Sequence, residues 1–274
     1  MLSQNATARI PVVIIEIPGS DRSKKLIQQL SKSEILEVNT FEAIMFNPSM
    51  TNFAPNFAKQ RLLYGRKLSD GEIGCAISHY LIQRDHSKKS QSIVVLEDDA
   101  RIRNLNAFEN IIKRFIESEH DSNSILSLLP WNLNQRIEEK KYLRHAFHRI
   151  MGRTPLTVGY VITPLAMKEL SSANFDFSYL PDWPPTRTRF FTSVVGVVDH
   201  GDPETFSYID NSGRQKTSRA EALRKFNPMT YFGHRTQFRS FEEYLRSTYL
   251  PSITWRMDRI HMHILFSRFR KELF

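Results

Sequence analysis

Two short stretches, Val12 to Ile17 and Ser92 to Leu96, are runs of β-branched and apolar residues broken only by Glu16 and by Ser92 at the start of the second. They constrain the fold more than any other feature of the chain. A strand with one face in water alternates apolar and polar residues, whereas an unbroken apolar run has to be buried on both faces. Burying both faces of a sheet requires helices on each side of it. The sequence between and after the two runs supplies helical patterns, so it predicts an α/β architecture in which a mainly parallel sheet is covered by helices.

The order of elements follows from local signals. Pro18-Gly19-Ser20-Asp21 punctuates the first strand, and a Leu- and Lys-rich helix runs to about Leu30. Ile35 to Val38 and Phe41 to Phe46 read as a second strand region, and 47–60, with two prolines and four Asn/Ser, reads as loop. Ser69-Asp70-Gly71-Glu72 matches a capping box, in which the Ser side chain and the Glu three residues on satisfy each other's backbone donors. Behind it, Ile73, Ala76, Ile77, Tyr80 and Leu81 recur at helical spacing. Leu105, Phe108, Ile111, Ile112 and Phe115 mark a further amphipathic helix. Ser124 to Leu129 and Thr157 to Ile162 read as strands, Pro164 to Leu170 as a helix, and Phe190 to Val198 as a single strand.

Chemistry concentrates where the second apolar run ends, at Glu97-Asp98-Asp99. Open α/β sheets place ligands at the exits of their strands, and three adjacent carboxylates repel one another unless a cation or water compensates them. If the chain stays extended, Glu97 and Asp99 point one way and Asp98 the other. Such a pair suits a hard cation, Mg²⁺ or Mn²⁺; a solvated acidic turn is the other reading of the same residues. On the capped helix, at about 100° per residue, Glu72, Cys75 and His79 form a stripe away from the apolar face. The plainer reading of that stripe has Glu72 only closing the capping box and His79 as a histidine at the surface or at the edge of the core. The nine histidines lack zinc-site spacing and cysteine partners, and Cys75 reads as a packing residue.

Charge and cysteine content narrow the setting. Of a net +9, the segment 214–274 carries +8, from 13 Lys/Arg against 5 Asp/Glu. A near-neutral body is thus followed by a basic, mostly helical segment, suited to an anionic surface or simply solvated. A single cysteine excludes an internal disulfide and fits a reducing compartment. No apolar run approaches the ~20 residues of a membrane span, and the opening MLSQNATARIPVVIIEI lacks a basic segment followed by a long apolar one. A cytoplasmic location is therefore expected, with Asn5-Ala6-Thr7 a chance sequon. Nucleic acid is not an expected partner, since neither RNA-binding strand motifs nor zinc-finger spacing occurs.

Leu68-Ser69-Asp70-Gly71-Glu72-Ile73-Gly74-Cys75-Ala76-Ile77-Ser78-His79 followed by Val95-Leu96-Glu97-Asp98-Asp99-Ala100 resembles glycosyltransferase family 25, the bacterial lipooligosaccharide galactosyl- and glucosyltransferases. Asp21-Arg22, Gly159-Tyr160-Val161-Ile162 and Pro181-Asp182 add weaker matches in the same order. The resemblance implies a GT-A type fold, a Rossmann-like mixed sheet flanked by helices, in which Glu97-Asp98-Asp99 stands in for an Asp-x-Asp motif. It implies a UDP-sugar donor, most simply UDP-galactose, Mn²⁺ or Mg²⁺ as cofactor, and transfer with inversion to a glycan or lipid-linked oligosaccharide acceptor. Asp99 is then the main metal ligand, with Glu97 or Asp98 on the metal or the ribose. Arg22, Glu72, Ser78 and His79 are candidates for binding the nucleotide sugar. Asp182, beside Trp183, is the candidate base, with Asp199, followed by His200, as the alternative for base or metal.

The expected organisation is a nucleotide-sugar-binding catalytic domain over 1–213 and a basic helical region over 214–274. From Ser240 on, apolar residues at helical spacing alternate with Arg and Lys, which fits an amphipathic helix lying in the inner membrane interface, packing onto the domain, or joining two copies of the chain. A non-catalytic glycan- or membrane-binding protein on the same scaffold is the alternative function.

Overall fold

The computed structural model describes residues 9–64, 66–129, 147–150, 157–174, 176–179, 186–193 and 196–200. Asp182, Trp183 and the whole of 214–274, including the amphipathic stretch from Ser240, lie outside the described residues.

The elements run β1 (Ile10–Glu16), α1 (Lys24–Leu30), β2 (Leu36–Glu42), α2 (Phe57–Tyr64), α3 (Asp70–His86), β3 (Ile93–Glu97), β4 (Ala100–Ile102), α4 (Leu105–Glu119), β5 (Ser124–Ser127), β6 (Phe147–Ile150), β7 (Gly159–Ile162), α5 (Pro164–Ala173), β8 (Arg189–Ser193) and β9 (Val198–His200). Seven strands form one sheet in the order β2-β1-β3-β7-β5-β8-β6, and β4 pairs with β9 in a separate ribbon. β2, β1 and β3 are mutually parallel, β7 runs against β3 and β5, β8 is parallel to β5, and β6 is antiparallel to β8. Five of the seven strands therefore point the same way. This is the mixed, mainly parallel sheet flanked by helices that the sequence predicts.

The apolar runs are explained by what lies on each side of them. Val12 and Ile14 of β1, with Val94 and Leu96 of β3, join Leu26 and Leu30 of α1 and Phe108, Ile112 and Phe115 of α4 in one core. The intervening Val13, Ile15, Ile93 and Val95 join Ile82 of α3 and Ala166, Met167 and Leu170 of α5 on the other face. Each such side chain contributes roughly 1.5–3 kcal/mol when fully buried, so polar residues within these runs would be costly.

Helix α3 starts as predicted: the Ser69 side chain accepts from Glu72 N, and the Glu72 carboxylate accepts from Ser69 N at 2.8 Å. It lies so close to the chain after β2 that a Cβ built on Gly74 would collide with the Ile44 carbonyl oxygen. Its buried surface is broader than the single apolar stripe, since Glu72, Gly74, Ser78, His79 and Gln83 are buried with Ile73, Ala76, Ile77 and Ile82.

Three expectations fail. The segment 47–60 is not all loop, because α2 begins at Phe57, where Asn56 Oδ1 accepts from Lys59 N at 3.0 Å in the manner of an N-cap. Phe190 to Val198 is not one strand: β8 stays in the main sheet and β9 leaves it to pair with β4. The chain after β3 is not extended, because it turns through Asp98 and Asp99 into β4.

Candidate functional site

The site lies at the carboxyl ends of β1 and β3, which are adjacent and parallel with Ile15 opposite Glu97. That register brings Glu16 beside the Glu97-Asp98-Asp99 turn, a fourth carboxylate that the sequence pattern does not single out. Ser23, at the start of α1, donates its hydroxyl to Glu16 and fixes it there.

Because the chain turns at Asp98, the pairing of Glu97 with Asp99 on one side does not form. Asp98 and Asp99 converge instead on Arg22, whose Nε lies 3.6 Å from Asp98 Oδ2 and whose Nη2 lies 3.0 Å from Asp99 Oδ2. Arg22 is 26% exposed while Asp98 and Asp99 are 6% and 12% exposed, so the guanidinium covers the acidic turn from the solvent side. Burial pushes the Asp98 carboxyl up to about 6; Arg22 opposes that shift, and Asp99, Glu97 and Glu16 add to it. Asp98 Oδ2 is buried and makes no hydrogen bond among the described residues. Its 3.6 Å contact with Arg22 Nε is an ion pair too long to be a hydrogen bond, so the desolvation of this oxygen is only partly compensated.

Glu97 faces elsewhere. Its Oε1 accepts from the Thr157 hydroxyl at 2.5 Å and lies 3.3 Å from His79 Nε2. His79 Nδ1 is in turn 2.8 Å from the Tyr160 hydroxyl, which Gln83 Nε2 reaches at 3.4 Å. Tyr160, Gln83 and His79 are buried, and desolvation raises the Tyr160 hydroxyl above its ordinary range. His79 is thus a buried residue of the site's inner wall rather than one at the surface or the core edge. Cys75 is more than packing: its thiol, the His79 ring and the Glu97 carboxylate bring ligand atoms within 4.8 Å of one another. The signal in the sequence was the four-residue spacing of Cys75 and His79, which puts both on one helix face.

Two further candidates make contacts that hold the fold. Ser78 is buried, accepting from Ile44 N and donating to Gly74 O, both at 2.8 Å. Glu72 closes the capping box and takes a bidentate ion pair from Arg66, 2.7 Å at each oxygen. These contacts secure α3 and its preceding loop. Asp199 lies in β9 opposite Arg101, and both its oxygens are held by Arg103 at 2.5 and 2.6 Å. The same ribbon sets His200 opposite Ala100, directly after the acidic turn. Asp182 lies outside the described residues.

The family model described as glycosyltransferase family 25 (LPS biosynthesis protein) matches residues 9–182, a span that begins just before β1 and includes the acidic turn. No curated protein matches the chain. Among solved structures, mannose-1-phosphate geranyltransferase from Thermus thermophilus is similar at 11% identity and a TM-score of 0.39, over 70% of this chain and 75% of that one.

Proposed function

The chain belongs to glycosyltransferase family 25, and from that premise we propose that it transfers a hexose, most simply galactose, from a UDP-sugar to a glycan of the bacterial surface, with inversion. The observation that carries this reading is the Asp98–Asp99 pair at the end of β3, Asp98 buried and Asp99 half-buried, with Arg22 against it.

The residues fit a divalent cation. Asp98 and Asp99 would hold it, since Asp98 Oδ2 makes no hydrogen bond among the described residues and its carboxyl is raised by burial. Mg²⁺ or Mn²⁺ bound there supplies positive charge for the diphosphate that carries the leaving electrons. Arg22 is partly exposed, so it can turn from the carboxylates to a phosphate oxygen, where a charge-assisted hydrogen bond positions the donor. Breaking the sugar–phosphate bond leaves the sugar centre oxocarbenium-like, and the acceptor hydroxyl then needs a base to take its proton. Asp182 is that base in this reading, because both oxygens of Asp199 are occupied by Arg103.

The acceptor is a lipid-linked oligosaccharide. The basic, amphipathic stretch 240–274 fits an anionic lipid surface, at about 1 kcal/mol for each basic residue near it, which would hold the chain on the inner face of the cytoplasmic membrane. Among the described residues, no helix is long and apolar enough to cross a membrane. A panel of nucleotide sugars tests the donor: release of UDP from UDP-galactose, with weaker release from other nucleotide sugars, is expected. No UDP release from any of them would favour a non-catalytic, glycan-binding role.

A further inference from the structure

We propose that Cys75, His79 and Glu97 form a binding site for a borderline-soft divalent cation, Zn²⁺, distinct from the all-oxygen site of Asp98 and Asp99. α3 presents Cys75 and His79 one turn apart, and β3 ends against that face with Glu97. Their ligand atoms lie within 4.8 Å of one another. His79 Nε2 and Glu97 Oε1 are 3.3 Å apart. Tetrahedral zinc, with Zn–N and Zn–O near 2.0–2.1 Å, holds such a pair roughly 3.3 Å apart. The Cys75 thiol, which is only partly buried, would close on the ion to the ~2.3 Å of a Zn–S bond.

The surroundings are those of a metal-ligating histidine. In the tautomer that carries its proton on Nδ1, 2.8 Å from the Tyr160 hydroxyl, Nε2 presents its lone pair toward Glu97 and Cys75. Gln83 holds Tyr160, and Thr157 holds Glu97, so ring and carboxylate are both oriented by a second layer of buried residues. Such outer partners fix the tautomer and aim of the ligands. Thiolate, imidazole and carboxylate together favour zinc, whereas Mg²⁺ and Mn²⁺ favour oxygen ligands alone. Three protein ligands leave a fourth position for water. Glu97 is 22% exposed and His79 4% exposed, which leaves the Glu97 side for entry. A bound zinc commits Glu97 and leaves the donor's cation to Asp98 and Asp99, whether or not those two take it.

The test uses the full chain, reduced and freed of metal with a chelator, then titrated with Zn²⁺ against a chromophoric zinc chelator, and separately with Co²⁺. One equivalent of Zn²⁺ is expected, and the Co²⁺ form should show a thiolate-to-cobalt charge-transfer absorption. Cys75→Ser should remove that absorption, and Tyr160→Phe should weaken Zn²⁺ binding ~10–100-fold, the usual loss for an outer-layer partner. Asp99→Asn should leave both readouts unchanged. No charge-transfer absorption in the wild-type chain would overturn the site outright, even if Cys75→Ser failed to fold. Undiminished Zn²⁺ affinity in Cys75→Ser, or its loss in Asp99→Asn, would assign the cation to the acidic turn and overturn it equally.

Discussion

Arg22 Nη2 stands 3.0 Å from Asp99 Oδ2, an ion pair made between the turn after β1 and the turn after β3. The same guanidinium reaches toward the buried Asp98, so one side chain offsets two carboxylates at the place where the donor's diphosphate is proposed to bind. Arg22→Gln keeps a hydrogen-bonding side chain but removes the charge. It should weaken UDP binding ~10–100-fold, corresponding to the ~1.5–3 kcal/mol of a charged hydrogen bond. Isothermal titration with UDP and Mn²⁺ checks this; equal affinity in the variant would remove Arg22 from the donor site.

Asp98 is kept ionised at a cost to the fold. Its folded-state carboxyl is raised from 3.8 to about 6, so between those two values the folded chain binds more protons than the unfolded one. Stability then falls as pH rises through that window, and the whole cost is present above it. Without metal, Asp98→Asn should therefore be more stable than wild type at pH 7–8, by about 1–3 kcal/mol for a shift of this size. The advantage should vanish near pH 4. Urea unfolding at the two pH values measures it, and a variant that is less stable at pH 7–8 would contradict the assignment.

Gly74→Ala sets two effects against each other. Alanine favours a helix interior over glycine by about 1 kcal/mol, yet its Cβ would collide with the Ile44 carbonyl oxygen, where backbone has to move. Overpacking of this kind costs about 1–3 kcal/mol, and here the obstacle is main chain rather than a flexible side chain. A lower urea midpoint is expected with an unchanged slope. A midpoint at or above that of wild type would mean that α3 is not pinned to the chain after β2.

Much of this was legible in the sequence because the signals are local. The apolar runs of β1 and β3 require helices on both faces, and the capping box of Ser69 and Glu72 marks the start of α3. Asn56 offered the same kind of signal for α2, but the prolines and asparagines before it concealed the helix. Direction and partnership are not local. Nothing in Gly159–Ile162 says that β7 runs against β3, and nothing near Asp199 says that β9 abandons the sheet for β4. The acidic triplet was visible as a site, whereas its division was not: Asp98 and Asp99 turn to Arg22, while Glu97 turns to His79 and Thr157. Cys75 and His79 were four residues apart in plain view, but the third member of their cluster comes from a strand 18 residues beyond His79.

For Asp182, the proposed base, substitution by Asn should lower turnover by ~10²–10⁴-fold, the usual worth of acid–base assistance. Affinity for UDP should stay near that of wild type. Steady-state rates with a fixed donor and acceptor, set beside UDP titration, separate the outcomes. If UDP affinity collapses together with turnover, Asp182 acts on the donor side and the base has to be sought elsewhere.

Asp98 and Asp99 are proposed to hold the cation that serves the diphosphate, and release of UDP from the donor as a function of Mn²⁺ measures this most directly. Wild type should release UDP only with Mn²⁺ or Mg²⁺ present and stop when a chelator is in excess. Asp99→Asn should remain folded by circular dichroism and release none at any Mn²⁺ concentration that saturates wild type. Undiminished release by Asp99→Asn, or by wild type in excess chelator, would contradict a cation held by these two carboxylates.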